Sequence, residues 1–169
     1  MGDIMRYIDM HCDTISSLCS DTKKFVASTI RENNKMVDLV RLKANDYILQ
    51  CFAMFIKGPI KNPFLECNKM IDRYYYEINK NRDLIYPAFN YEEIINNKLS
   101  SFLTIEDAFV IENDLNNINH FYNRGVRMMS LTWNNQNLVA SPNYVDIKQP
   151  NYKQGLSKFG YDVISRMEE

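Results

Sequence analysis

Tyr47-Ile48-Leu49-Gln50-Cys51-Phe52-Ala53-Met54-Phe55-Ile56 is the densest apolar run of the chain. It has almost no polar alternation, it is far too short to cross a bilayer, and Gly58-Pro59 stops it. A run of this kind is what a strand buried on both faces needs, and such strands belong to parallel sheets covered by helices.

Working outward, the neighbouring segments alternate in type. On the N-terminal side, Ile4 to Ile8 runs into Asp9-Met10-His11-Cys12-Asp13 and reads as a strand ending in a polar cluster. Met36 to Leu42 has helical spacing, with Val37, Val40 and Leu42 or Ala44 on one side. On the C-terminal side, Asn62 to Lys80 reads as a long helix with Leu65, Met70, Ile71 and Tyr74/Tyr75 inward, and Tyr91 to Asn96 as a short one. Ser101 to Ile105 is a strand that ends at Glu106-Asp107. Asp114 caps a helix through Phe121/Tyr122, which Gly125 ends where a C-terminal glycine belongs. Val126 to Thr132 is a further strand, Trp133 to Gln154 a polar loop, and Ser157 to Glu169 a last helix. The order βαβαβαβα predicts an α/β fold with parallel strands, four units that make the first half of a (β/α)8 barrel. A small doubly wound sheet has the same order, but no glycine-rich phosphate loop follows the first strand.

The composition agrees with one partial domain over 1–169. The chain has 169 residues, 46% hydrophobic and 24% charged, with a formal charge of −1. Near-neutral charge gives no electrostatic reason to expect nucleic acid, and no basic block marks a membrane surface. The N-terminus lacks the apolar stretch of a secretory signal. Arg6 stands where a myristoylation site needs Ser or Thr. The four cysteines, at 12, 19, 51 and 67, have no metal-finger spacing and read as reduced thiols of a cytoplasmic protein.

Three residues carry candidate chemistry. His11 and Asp13 are two apart at a strand end, with Cα atoms roughly 6.6 Å apart, so both can reach one cation. An imidazole and a carboxylate are a normal zinc ligand pair. Asp9 falls on the same face as a third ligand or as a group that orients His11. Cys12 faces the other way. Glu106 ends another parallel strand, so it opens on the same side as His11 and Asp13, where barrel enzymes keep their sites. Trp133, Asn134 and Asn137 are candidates to line a polar pocket. His120 lies mid-helix beside Phe121 and reads as a surface or packing residue.

The ordered series of these segments resembles the membrane (renal) dipeptidases. Ile8-Asp9-Met10-His11-Cys12-Asp13-Thr14 is similar to their opening metal motif, and Val37-Asp38-Leu39 with Arg41-Leu42 and Gln50-Cys51-Phe52-Ala53 to their next block. Leu103-Thr104-Ile105-Glu106 resembles the segment of their metal-bridging glutamate. Phe121-Tyr122 through Gly125-Val126-Arg127 to Leu131-Thr132-Trp133-Asn134 and Asn137 resembles their fourth-strand signature. Gly155 to Gly160 resembles the stretch before their fifth strand.

The resemblance implies a barrel with two zinc ions, His11 and Asp13 on the first and Glu106 bridging both, and a metal-activated water that hydrolyses dipeptides. Three departures accompany it. Trp133 stands where many members have a substrate-contacting histidine, and Asp107 replaces a usual glycine. The histidines of the second zinc and a late catalytic aspartate are missing, so this chain is expected to hold at most one zinc, weakly, and to be inactive alone. The final helix runs to Glu169 without a stop signal, so a following strand with a histidine at its end is expected downstream. Two competing expectations are a non-catalytic half-barrel that self-associates or is completed by a second chain, and a one-metal hydrolase using His11, Asp13 and Glu106.

Overall fold

The computed structural model describes residues 5–20, 29–58, 60–94, 99–142 and 155–169. The elements are β1 (Tyr7–Cys12), α1 (Thr14–Ser20), α2 (Leu39–Ala44), β2 (Tyr47–Phe55), α3 (Pro63–Lys80), β3 (Ile85–Pro87), β4 (Leu99–Glu106), α4 (Asn116–Asn123), β5 (Val126–Met129) and α5 (Lys158–Glu168). A 3-10 turn, Ala108–Ile111, follows β4. Among the described residues no helix is long and apolar enough to cross a membrane. Ile4, Pro59, the end of the expected 91–96 helix and the 133–154 loop beyond 142 lie outside the described residues.

All named strand pairs are parallel. β2 lies between β1 and β4, and both β3 and β5 pair with the far edge of β4. They divide that edge: β3 runs beside Leu99–Ser101 and β5 beside Leu103–Ile105. The parallel order β1-β2-β4-β5 is the one expected of the first four strands of a barrel. The short β3 is an addition, because three residues ending in Pro87 carry no period to read. Helix α1 was likewise unexpected. Its Thr14 to Ser20 segment has only Ile15 and Leu18 as large buried residues, too little for a visible stripe.

The remaining differences have local causes. Helix α2 starts only at Leu39, because the Asp38 carboxylate accepts the Arg41 N–H and fixes the first turn there. Helix α4 starts at Asn116, after the Asp114 carboxylate has taken the N–H and the side-chain amide of Asn116. Residues 91–94 form turns rather than helix, built by Glu93, which accepts the Phe89 N–H and the Asn90 amide. β5 ends at Met129, since Ser130 N still bonds Ile105 O but the chain then turns away.

β2 fits its reading: Leu49 to Met54 are all buried. Phe52 packs against Tyr74 of α3 at 5.9 Å between ring centroids, so the Phe52 face meets the helices. The buried stripe of α3 is Cys67, Met70, Ile71, Tyr74 and Ile78, spaced by three and four as a sheet-covering helix requires. Leu65 is off that stripe and half exposed, contrary to expectation. Tyr74 also hydrogen-bonds Ser101 of β4 at 2.7 Å, which ties helix to sheet. Gly125, at φ +94°, ends α4, and a Cβ there would sit 2.3 Å from the Tyr75 hydroxyl.

Candidate metal centre

Parallel pairing brings the carboxyl ends of β1, β2 and β4 to one side of the sheet. β2 and β4 are in continuous register from Leu49↔Ser100 to Phe55↔Glu106, so Glu106 stands at the last rung. β1 is less regular. Asp9 pairs with Gln50 and Cys12 with Phe52, three steps along one strand against two along the other. That bulge breaks strict alternation. Asp9 therefore need not share a face with His11. Its carboxylate turns back to accept the His11 N–H at 3.1 Å.

His11, Asp13 and Glu106 each offer one ligand atom, and these atoms all lie within 4.8 Å of one another. His11 Nε2 is 3.3 Å from Glu106 Oε2 and 3.5 Å from Asp13 Oδ2. The His11 and Asp13 side chains are about half exposed, whereas Glu106 is 21% exposed. Burial pushes the Glu106 carboxyl above the ordinary carboxylate range; His11 opposes that shift, and Asp13 and Asp107 add to it. A cation among the three would favour the charged form of Glu106 and relieve its repulsion by Asp13. One nitrogen and two carboxylates are a donor set that zinc accepts. Beside them lies a cleft of about 380 Å³ whose walls include Met10, Thr104, Met128 and Met129.

The other expected residues are placed as follows. Cys12 is buried on the core side, away from the cluster, and burial pushes its thiol up to about 12. Trp133 packs edge-on against Phe55, with ring centroids 4.8 Å apart. Asn134 is exposed. Asn137 is committed to the loop: its amide reaches Asp107 and Leu131 O, and its oxygen accepts from Val139 and Ala140. His120 bonds Asn68 at 2.7 Å and packs tilted against Phe64, between α3 and α4, as a packing residue.

The roles of two residues at the site were not foreseen. Phe55 is the register neighbour of Glu106, visible in sequence only once β2 and β4 are aligned. Asp107 is 5% exposed, and burial raises its carboxyl against the hydrogen bonds it accepts from Phe109, Asn137 and Trp133. An aspartate before Ala108-Phe109-Val110-Ile111 is a capping signal that could have been read.

The model of the family described as membrane dipeptidase (peptidase family M19) matches residues 3–169. The chain belongs to that family. Solved structures agree on the fold of the membrane dipeptidases. A metallopeptidase from Rhodobacter sphaeroides, liganded with a phosphinate mimic of the dipeptide L-Ala-D-Ala, is 15% identical with a TM-score of 0.82, over 96% of this chain and 56% of that one. Dipeptidase AC, a metallopeptidase of family M19, is 16% identical with a TM-score of 0.75, over 96% of this chain and 53% of that one. An amidohydrolase from Pseudomonas aeruginosa is 20% identical with a TM-score of 0.66, over 76% of this chain and 38% of that one. A comparison with curated proteins gives no match. The chain thus spans 38 to 56% of the length of these structures, and its parallel sheet is part of a dipeptidase barrel.

Proposed function

We propose that this chain supplies the first metal site of a zinc-dependent dipeptidase, with His11 and Asp13 on one zinc ion and Glu106 placed to bridge to a second. The observation that carries the reading is the convergence of three ligand atoms within 4.8 Å, from the ends of β1 and β4. Membership of a dipeptidase family supports a dipeptide as substrate. Zinc held here would polarise the substrate carbonyl and lower the pKa of a water molecule. The chain's own residues set the frame. Asp9 fixes the backbone of His11, β4 delivers Glu106 from a continuous ladder, and the methionine-lined cleft gives an apolar approach. The four free thiols suit a reducing, cytoplasmic setting.

The chain has two histidines, and His120 is committed to Asn68, so a single imidazole reaches the cluster. We therefore expect these residues alone to hold at most one zinc ion, weakly, and not to hydrolyse dipeptides. Calorimetric zinc titration of the wild type and of His11→Ala is the test. A large loss of affinity in the variant supports the assignment, and equal affinity in both removes it. Dipeptide hydrolysis that vanishes in Glu106→Gln would instead show a competent single-metal site.

A second reading, a half-barrel that works in assembly, is favoured by one observation. Ile8 and Met10 of β1 are 52% and 54% exposed, and β1 pairs only with β2 among the described residues. An open apolar strand edge invites pairing. Light scattering that shows a concentration-independent monomer would count against it.

A further inference from the structure

Asp107 is the point where the chain beyond β5 is fastened to the end of β4. Its Oδ2 accepts the Trp133 N–H at 3.1 Å. Its Oδ1 accepts the Phe109 N–H at 3.0 Å and the Asn137 side-chain amide at 2.5 Å. Asn137 passes the hold onward, donating to Leu131 O and accepting from Val139 and Ala140. Backbone bonds from Ser130 N to Ile105 O and from Ala108 N to Ser130 O close the same junction. The result is a fixed place for one ring. Trp133 rests on Phe55, and Phe55, as register partner of Glu106, points to the same sheet face as that carboxylate.

We propose that Asp107 is a positioning residue: it sets Trp133 against Phe55 beside Glu106, making the aromatic pair the wall on which an apolar side chain of the substrate rests. The inference rests on the dipeptidase reading for the nature of the substrate, but not for the clamp itself. The carboxylate is suited to the task because it is buried and accepts three N–H groups from three parts of the chain, which a glycine at 107 cannot do. Phe55 and Trp133, packed edge-on, give an apolar surface on the sheet face that carries Glu106, which favours a leucine-like side chain over none.

Trp133 is the sole tryptophan, so fluorescence excited at the red edge, where the eleven tyrosines do not absorb, reports on this place alone. The test compares the wild type with Asp107→Gly and Asp107→Asn, with far-UV circular dichroism as a check of the fold. The expected result is emission shifted to longer wavelength and stronger acrylamide quenching in Asp107→Gly. Asp107→Asn, which keeps one carbonyl acceptor, should fall between. If the glycine variant does not fold, the asparagine variant carries the comparison with the wild type. With zinc present, Leu-Leu should alter wild-type emission at a concentration about tenfold lower than Gly-Gly, the preference a hydrophobic subsite gives. That preference should disappear in Asp107→Gly.

Unchanged emission and quenching in both folded variants would overturn the clamp. Equal response of the wild type to the two dipeptides, or no response to either, would overturn the wall. Loss of the dipeptide preference while zinc still depends on His11 counts against the wall and leaves the metal site standing. Zinc binding indifferent to His11, with the quenching contrast intact, defeats the dipeptidase reading and leaves the clamp.

Discussion

Glu77 is a carboxylate taken almost wholly out of water, at 2% exposure, and the fold meets its charge at both oxygens. Oε2 accepts the N–H of buried Ile30 at 3.0 Å, and Oε1 takes Arg73, one turn away on α3, at 2.8 Å. Ile30 O in turn receives the Leu39 N–H, so Glu77 joins α3, the 29–38 segment and α2. Arg73 is one-third exposed and keeps access to water, so removing the carboxylate chiefly orphans the buried Ile30 N–H. Glu77→Ala should therefore cost about 1–3 kcal/mol by urea denaturation. A loss under ~1 kcal/mol would show that the link is ornamental, since that is the range of an exposed ion pair. At this scale the sequence was legible where residue type and spacing name a chemistry. His11-x-Asp13 and the strand-end Glu106 were found that way, and the structure brings them together. Phe55 and Asp107 were not, because their roles depend on partners 26 to 78 positions away. The place of Asp9 was not fully legible either, since a bulge cannot be seen before strands are paired.

The helices show how far an element can be read from its own period. The period of α3 was plain, yet its buried stripe was set off by Leu65, an apolar residue at a position the sheet does not cover. β2 was read correctly because an uninterrupted apolar run of strand length, stopped by Gly58-Pro59, is what a strand covered on both faces needs. β3 and α1 were missed because three residues, or two large apolar ones, carry no periodic signal. The last helix adds a contact that no pattern announces. α5 is capped by Ser157, whose Oγ accepts the Gly160 N–H and donates to Leu138 O. Gly160 lets the helix lie directly on the preceding loop, where an added Cβ would meet Val139 O at 2.2 Å. Backbone cannot yield as a side-chain tip can. Gly160→Ala should therefore destabilise by about 1–3 kcal/mol, despite alanine's better helix propensity. A thermal melt equal to or above that of the wild type would mean that α5 does not pack on the 138–140 segment.

Over the whole molecule, the core holds its thiols in the protonated form. Burial pushes Cys12 and Cys67 up to about 12 and Cys51 to about 11, from an ordinary 9.0. Tyr74 is raised for the same reason. Unfolded thiols lose their protons from pH 9 upward while the folded ones keep theirs. The stability these groups confer is thus complete below that pH and is lost as the pH climbs toward 11 and 12. Denaturation midpoints should be flat from neutral pH to just below 9 and fall steadily above it, and replacing Cys12 and Cys67 by alanine should make the fall shallower. A midpoint that rises between pH 9 and 11 would contradict the burial of these groups.

The fold as a whole was the most legible level, because βα alternation and the ordered motifs both point to part of a dipeptidase barrel, and the family match and the parallel sheet agree. The finer claim is that this sheet gathers His11, Asp13 and Glu106 around a single cation. Zinc-edge X-ray absorption on the protein loaded with one equivalent of zinc addresses it most directly. The account predicts a first shell of oxygen and imidazole nitrogen at about 2.0–2.2 Å, with the imidazole signal lost in His11→Ala. A shell containing sulfur at about 2.3 Å, or one that is the same with and without His11, would contradict it.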